Sequence, residues 1–416
     1  MSTLNDIQSF SSKAYNWAII LVCITLPFNV ISLNSICIIA LTLFWLIEGG
    51  FKEKFLTTSK NKLLLSFLLF YFLHVAFMLI TENTKNGLFE LEKKLSLFIL
   101  PLVILTKPAL QEPMRKKVLA SFSISCFVMV LCSIYQILYY HYSGGTPLLY
   151  KDQGYDFREY FVQIAERHPT YTSMYLVFSS LALYNLVQSK FFPKLLGYGV
   201  IAINGIIIFL LSSRLIIVGS LLFLCISLYL LYFKEQKRNL GKYFVICVSF
   251  LLLTSLVIWY VPSIKSRLVE EFFDAHTFEP ARGIHYNSLN TRISETLCGC
   301  SIISDHPLFG VGTGDVQDAL NQCYEKRGYS PVLYQESYNP HNQFIFSYAG
   351  LGLLGICALL LLLFHQFRAL DFHGNIEFSY IVCIAFLLFF TETFFGFQKG
   401  VVFFSLFTSL LYVKKM

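Results

Sequence analysis

The chain has 416 residues, 56% of them hydrophobic and only 14% charged, with a net charge of +7. Soluble globular domains are about 45–50% apolar and about 25% charged, so this composition excludes one. The charge is too dilute for a nucleic-acid footprint, whereas 42 Phe, 25 Tyr and 3 Trp suit a lipid-facing or interfacial chain.

Apolar runs of membrane-spanning length fall at 15–31, 33–48, 63–80, 93–106, 118–140, 169–188, 195–211, 214–233 and 243–261. After a polar stretch, three more follow at 342–365, 378–395 and 400–413. Twelve helices of roughly 20 residues would use about 240 residues, close to the apolar supply. The expected fold is therefore all-α: a polytopic membrane protein with spans 1–9 in residues 1–261, a large outer loop at 262–340 and spans 10–12 in 341–416. The first run lacks a small-residue cleavage site and a second span follows at once, so it reads as an uncleaved helix. Basic residues gather on the side of the termini, at 52–62, 115–117 and 234–242. Positive residues stay in the cytoplasm, which puts both termini there and the long loop on the outer face of the membrane.

Within the long loop, Ser263 to His276 sets Ile264, Leu268 and Phe272 at helical spacing, and Asp315 to Arg327 does the same with Val316, Leu320 and Cys323. Short helices lying on the membrane surface are expected. A second outer loop, 141–168, carries Asp152, Asp156, Arg158, Glu159, Arg167 and His168. Of the 11 cysteines, most sit in predicted spans as small buried apolar residues. Cys298, Cys300 and Cys323 lie in the long loop, where an oxidising compartment leaves one disulfide to Cys323 open to either partner. No CxxC pair, zinc spacing or internal repeat is present.

The polar residues that could carry chemistry gather on the outer face. Ser212 and Ser213 are good N-caps for the eighth span and put Arg214 in its first turn, an unfavourable place for a cation unless an anion binds there too. The plain alternative is an arginine that snorkels to the headgroups. In Asn339-Pro340-His341-Asn342, Asn339 as N-cap and Pro340 at the first helical position predict a helix with His341 in its first turn. The positive helix end disfavours imidazolium there, which suits a general base. A structural histidine at the interface is the alternative. Arg292 reads either as a second anion contact or as a solvated helix residue. Gly310, Gly312 and Gly314 mark a tight turn that is neither a P-loop nor a dinucleotide fingerprint. No clustered carboxylates suggest a metal, so metal-independent chemistry without a cofactor is expected. Glu392, inside the eleventh predicted span, should face inward.

Together these residues resemble the O-antigen ligase and polymerase superfamily of bacterial envelope glycosyltransferases. His341-Asn342, a nine-residue gap, Gly352, a two-residue gap and Gly355 match the ligase pattern. Ser212 to Gly219, the Arg292 to Gly314 segment and His168-Pro169-Thr170-Tyr171 are similar to other recurring elements of the family. The resemblance implies a GT-C-like bundle and a metal-independent, inverting transfer from undecaprenyl diphosphate to an acceptor hydroxyl at the periplasmic face. It casts His341 as the base and Arg214 and Arg292 as the diphosphate holders, with His168, Ser213 and Asn342 along the cleft. Arg214, Arg292 and His341 are then expected to converge on one pocket. The implied partners are a lipid-linked glycan donor, a lipid A–core or other glycan acceptor and the membrane, with no nucleic acid. A polymerase joining lipid-linked repeat units and a protein O-oligosaccharyltransferase remain open, and a transporter is the distant alternative. A transporter would need charge near the membrane midplane and paired broken helices.

Overall fold

The computed structural model describes residues 2–28, 30–143, 161–164, 168–211, 213–234, 279–283 and 287–413. The expected ninth span at 243–261, the helix expected at 263–276, Ser212 and most of the 141–168 loop lie outside these residues. Every regular element among the described residues is helical. In chain order these are α1 (Ser2–Thr25), α2 (Ile31–Ile47), α3 (Phe51–Lys60), α4 (Lys62–Ala76), α5 (Thr84–Leu105), α6 (Glu112–Tyr142), α7 (Pro169–Gln188) and α8 (Lys194–Leu210). They continue with α9 (Arg214–Lys234), α10 (Ser288–Asp305), α11 (Val316–Lys326), α12 (Pro331–Gln335), α13 (Gln343–Arg368), α14 (Ile376–Leu388) and α15 (Gln398–Leu411). Three are long and apolar enough to cross a membrane: α4 with the 3-10 turn that extends it to Ile80, α6 and α13. Helices α2 and α3 meet the same test as a pair, bent by 112° at the break between them. This is an all-α, membrane-embedded protein.

Local chemistry sets several of the boundaries. Asn61 caps α4 by accepting from Leu64 N at 3.2 Å, and Asn83 caps α5 by accepting from Asn86 N at 3.1 Å. Pro113 and Pro169 stand in the opening turns of α6 and α7, where a missing N–H costs nothing. Helix α1 stops at Thr25, short of the expected end at residue 31. Asn34 holds this end by donating to Val22 O at 3.1 Å and to Thr25 Oγ1 at 2.8 Å, and Pro27 follows.

The chain divides into two compact units. The first comprises Met1–Gly50, Ala109–Phe272 and Asp371–Ile384. Within it α1 packs against α2 and α6, α6 against α7, and α7 against α8 and α9. A polar tie joins α7 to α14, where Asn185 Nδ2 donates to Glu377 Oε1 at 2.9 Å.

The second unit comprises Phe51–Pro108, Phe273–Leu370 and Ala385–Met416. Here α4 packs on α5 and α13, α15 on α5, and α10 on α11 and α13. The segment between 279 and 340 builds its own apolar core on α13 from Ile302, Leu320, Tyr324, Leu333 and Phe346. The helix expected from Asp315 to Arg327 is α11, with Val316 and Leu320 buried. Cys298 and Cys323 form a disulfide with their Cα atoms 5.8 Å apart, and Cys300 is free and exposed.

Helix α13 is broken at Gly352, which has φ +58° inside the helix. The break turns the carbonyls of Ala349 and Gly350 outward, and Val311 N and Gly312 N donate to them at 2.9 Å each. Leu353 N donates in turn to Pro307 O at 3.1 Å. A Cβ at Gly352 would lie 2.2 Å from Leu308 O, so only glycine fits this close backbone approach. The run His306 to Gly312 is thereby stitched onto α13.

The expected continuous helix over 378–395 is not formed. Helix α14 ends at Leu388, and a short 3-10 turn at Phe394–Gly396 precedes α15. The break is held from α13: Gln343 N donates to Phe389 O at 2.8 Å, and Gln343 Oε1 accepts from Phe395 N at 2.8 Å. Glu392 therefore lies in a helix break instead of a helix interior.

Candidate functional site

In the second unit, α10, the start of α13 and the break after α14 bring Arg292, Glu295, His341 and Glu392 together. Arg292 and Glu295 stand three residues apart on α10, a spacing that puts both on one helix face. Asn287 starts that helix with a capping box, accepting from Asn290 N at 3.0 Å while Asn290 Oδ1 accepts from Asn287 N at 2.8 Å.

His341 is held differently from the expectation. The N-cap of α13 is Asn342, whose Oδ1 accepts from Phe344 N at 2.9 Å and Ile345 N at 3.0 Å. His341 thus precedes the helix instead of occupying its first turn, and its backbone is left-handed at φ +40°. Asn339 fixes that conformation by accepting from His341 N at 2.9 Å and from Thr393 Oγ1 at 2.8 Å. Two asparagines fit the N-cap pattern, and Pro340 made the wrong one look right. Both leave the imidazole projecting from a rigid turn.

Glu392 is the common partner. Its Oε2 lies 3.4 Å from His341 Nδ1 and its Oε1 4.0 Å from Arg292 Nη2. Arg292 Nη1 also donates to Thr391 O at 2.7 Å, which fixes the guanidinium beside the break after α14. On the other side of the imidazole, Nε2 lies 3.9 Å from Glu295 Oε1. That is too long for a hydrogen bond, so Nε2 is not engaged by Glu295.

Glu295 is 1% exposed, and both of its carboxylate oxygens lack a hydrogen-bond partner among the described residues. Burial pushes its carboxyl up to about 7, against the opposing pull of His341 and Arg292 and with a further push from Glu392. Arg292 is less enclosed, with 41% of its side chain exposed, so one donor face is open to a ligand. The cluster has a proton-accepting ring, a fixed guanidinium and a carboxylate that tethers both.

The remaining expected residues divide between the units. Asn342 spends its side-chain oxygen on the cap of α13, and its Nδ2 donates to Phe390 O at 3.3 Å. It is thus a support for His341. Arg214, Ser213 and His168 belong to the first unit. Arg214 opens α9, and Ile217 N donates to Ser213 O at 3.0 Å, while the Ser213 hydroxyl donates to Thr170 Oγ1 at 3.4 Å. His168 is the N-cap residue of α7, where its carbonyl accepts from Thr172 N at 3.3 Å, and its ring packs edge-on against Tyr171. The starts of α7 and α9 therefore meet within the first unit.

Sequence reasoning did not single out Glu295 or the role of Asn339. The spacing from Arg292 to Glu295 was the available signal, yet nothing local marks Glu295 as buried. Among the described residues no group of three or more His, Cys, Asp and Glu is arranged to hold a metal ion.

No curated protein matches the chain. Residues 199–362, which contain Arg214, Arg292, His341, Gly352 and Gly355, match the family model described as O-antigen ligase, and this assigns the domain they span to the O-antigen ligase superfamily.

Proposed function

We propose that the protein is a membrane glycosyltransferase that moves a glycan from undecaprenyl diphosphate to an acceptor hydroxyl at the periplasmic face of the bacterial inner membrane. Lipid A–core is the first acceptor. The family match supports ligase or polymerase activity on lipid-linked glycans. The observation that carries the mechanism is the meeting of Arg292 and His341 on one carboxylate, Glu392, inside a single compact unit.

In this reading His341 Nδ1–H donates to Glu392, which leaves the Nε2 lone pair for the acceptor hydroxyl. Nε2 removes the proton of that hydroxyl as its oxygen attacks the anomeric carbon with inversion. The bond from the anomeric carbon to the diphosphate oxygen breaks, and its electron pair leaves with the diphosphate. Arg292 binds the departing group, because a guanidinium fork matches phosphate oxygens and stabilises charge that grows in the transition state. The free N–H groups at the start of α9 favour an anion beside Arg214. Asn342 supports the His341 turn. No nucleotide is required, since the lipid diphosphate is already an activated donor.

The same reading gives a GT-C-like bundle of twelve spans over 1–261 and 341–416, cytoplasmic termini and a periplasmic 262–340 segment. Undecaprenyl is confined to the bilayer and its sugars to water, so the reacting bond must lie at the interface. A polymerase would use the same residues with a lipid-linked acceptor. The glycan profile of a deletion strain separates the two. A ligase predicts loss of long surface glycan with the lipid-linked polymer retained, and core capped by a single repeat unit would indicate a polymerase.

A further inference from the structure

The second unit also contains a cavity of about 210 Å³ that the chemistry above does not use. It shares Asn339 with the His341 turn, and its wall is drawn from α5, α11, the approach to α13 and the segment after α14. Drug-sized ligands occupy roughly 300–1,000 Å³, so this space is on the scale of a single ring.

The hydrogen-bonding capacity of the wall identifies what kind of ring. The oxygen of Asn339 is taken by His341 N and Thr393 Oγ1, which leaves its amide hydrogens without a partner among the described residues. Gln317 is the converse case: its Nε2 donates to Asn321 Oδ1 at 3.0 Å and Tyr338 O at 3.1 Å, leaving Oε1 to accept. Thr313 Oγ1 donates to His74 O at 2.7 Å and Thr393 Oγ1 donates to Asn339, so both hydroxyl oxygens keep lone pairs for a ligand. The wall thus offers donors on Asn86, Lys93 and Asn339 beside acceptors on Gln317, Thr313 and Thr393, the complement of a molecule rich in hydroxyls, each of which donates and accepts. Glu90 and Lys93 stand in the wall, and Lys94 shares the same carboxylate, so one negative group is set between two amines. Phe346 adds an apolar surface for ring carbons.

We propose that this cavity is the subsite for one pyranose residue of the acceptor glycan, the residue whose hydroxyl is presented to His341. The assignment to the acceptor rests on the transferase reading. Arg292 and Glu392 occupy the diphosphate side of the imidazole, whereas Asn339 joins the cavity to the backbone of His341. A sugar held by the Asn339 amide is thus fixed relative to the base.

The test uses the purified full-length protein, a synthetic undecaprenyl diphosphate-linked glycan as donor and lipid A–core as acceptor. Gln317→Leu keeps the side-chain bulk and removes its polar atoms. It should raise the acceptor KM about tenfold, the loss of one or two hydrogen bonds, while donor KM and kcat stay within about twofold. An unchanged acceptor KM with transfer intact would overturn the subsite and leave the transferase reading standing. A second measurement needs no turnover and covers a variant that folds poorly. Gln317→Cys is combined with His341→Ala and alkylated with a maleimide, and labelling of each peptide is read by mass spectrometry. Free core oligosaccharide at about ten times its Kd should slow labelling at position 317 about tenfold and leave the exposed Cys300 unaffected. Protection at 317 without transfer by the wild type would uphold the subsite and defeat the transferase reading, and equal labelling with and without oligosaccharide would remove the subsite.

Discussion

Glu295 gives the protein a pH dependence. Its unfolded carboxyl titrates near 4.5, whereas burial raises the folded one to about 7. Between these values the folded state holds a proton that the unfolded chain has released. The stability that this proton contributes is complete below 4.5, declines as pH rises and is lost above about 7. The loss is on the order of 3 kcal/mol for a group this enclosed. Glu295→Gln should therefore flatten the fall in Tm between pH 5 and pH 8 measured in detergent. Identical slopes for the two proteins would show that Glu295 does not titrate there. Glu392 acts through position instead. Glu392→Gln weakens the tether on both Arg292 and His341 and is expected to lower kcat about a hundredfold with KM little changed, the scale of a misplaced catalytic group. A variant with wild-type kcat would remove Glu392 from the account.

At the scale of elements, the stitch between the His306 to Gly312 run and α13 keeps the 279–340 segment on the bundle. Gly352→Ala combines a positive φ with a backbone clash and should destabilise the protein by more than about 1 kcal/mol, read as a lower Tm. The Cys298–Cys323 disulfide spans 25 residues, and a loop of that length is worth about 3 kcal/mol. Cys298→Ala/Cys323→Ala should lower Tm by several degrees, and a reductant should lower the Tm of the wild type but not of the double variant. Most helices were legible as apolar runs, because the periodicity and length that bury a helix also write its sequence. The break after Leu388 was not, since apolar residues stand on both sides of Thr391-Glu392-Thr393 and the groups that hold the break come from Gln343 on another helix. The turn at His341 failed for a similar reason. Asn339 and Asn342 are locally equivalent caps, and only Thr393, far away in sequence, decides between them. The disulfide was narrowed to Cys323 with Cys298 or Cys300, and helix α10 selects the first by burying it in the core of the segment.

For the whole molecule, the sequence carried the class of protein, because membrane residence imposes residue types along every span. The carboxylates around the imidazole are set by packing between distant segments, which leaves no local trace. The account expects both termini in the cytoplasm, as reporter fusions at the two ends would read, and the 262–340 segment accessible from the periplasm. It also expects chelators to leave the rate of transfer unchanged. Activity lost to a chelator and restored by Mg²⁺ or Mn²⁺ would contradict a metal-independent route. The most direct test is transfer by the purified, reconstituted protein from a synthetic undecaprenyl diphosphate-linked glycan to lipid A–core. The wild type should form the glycosidic product, His341→Ala should be slower by at least about a hundredfold, and Arg214→Ala and Arg292→Ala should each abolish transfer while remaining folded in the membrane. No product from the wild type, or near-normal product from His341→Ala, would contradict the account.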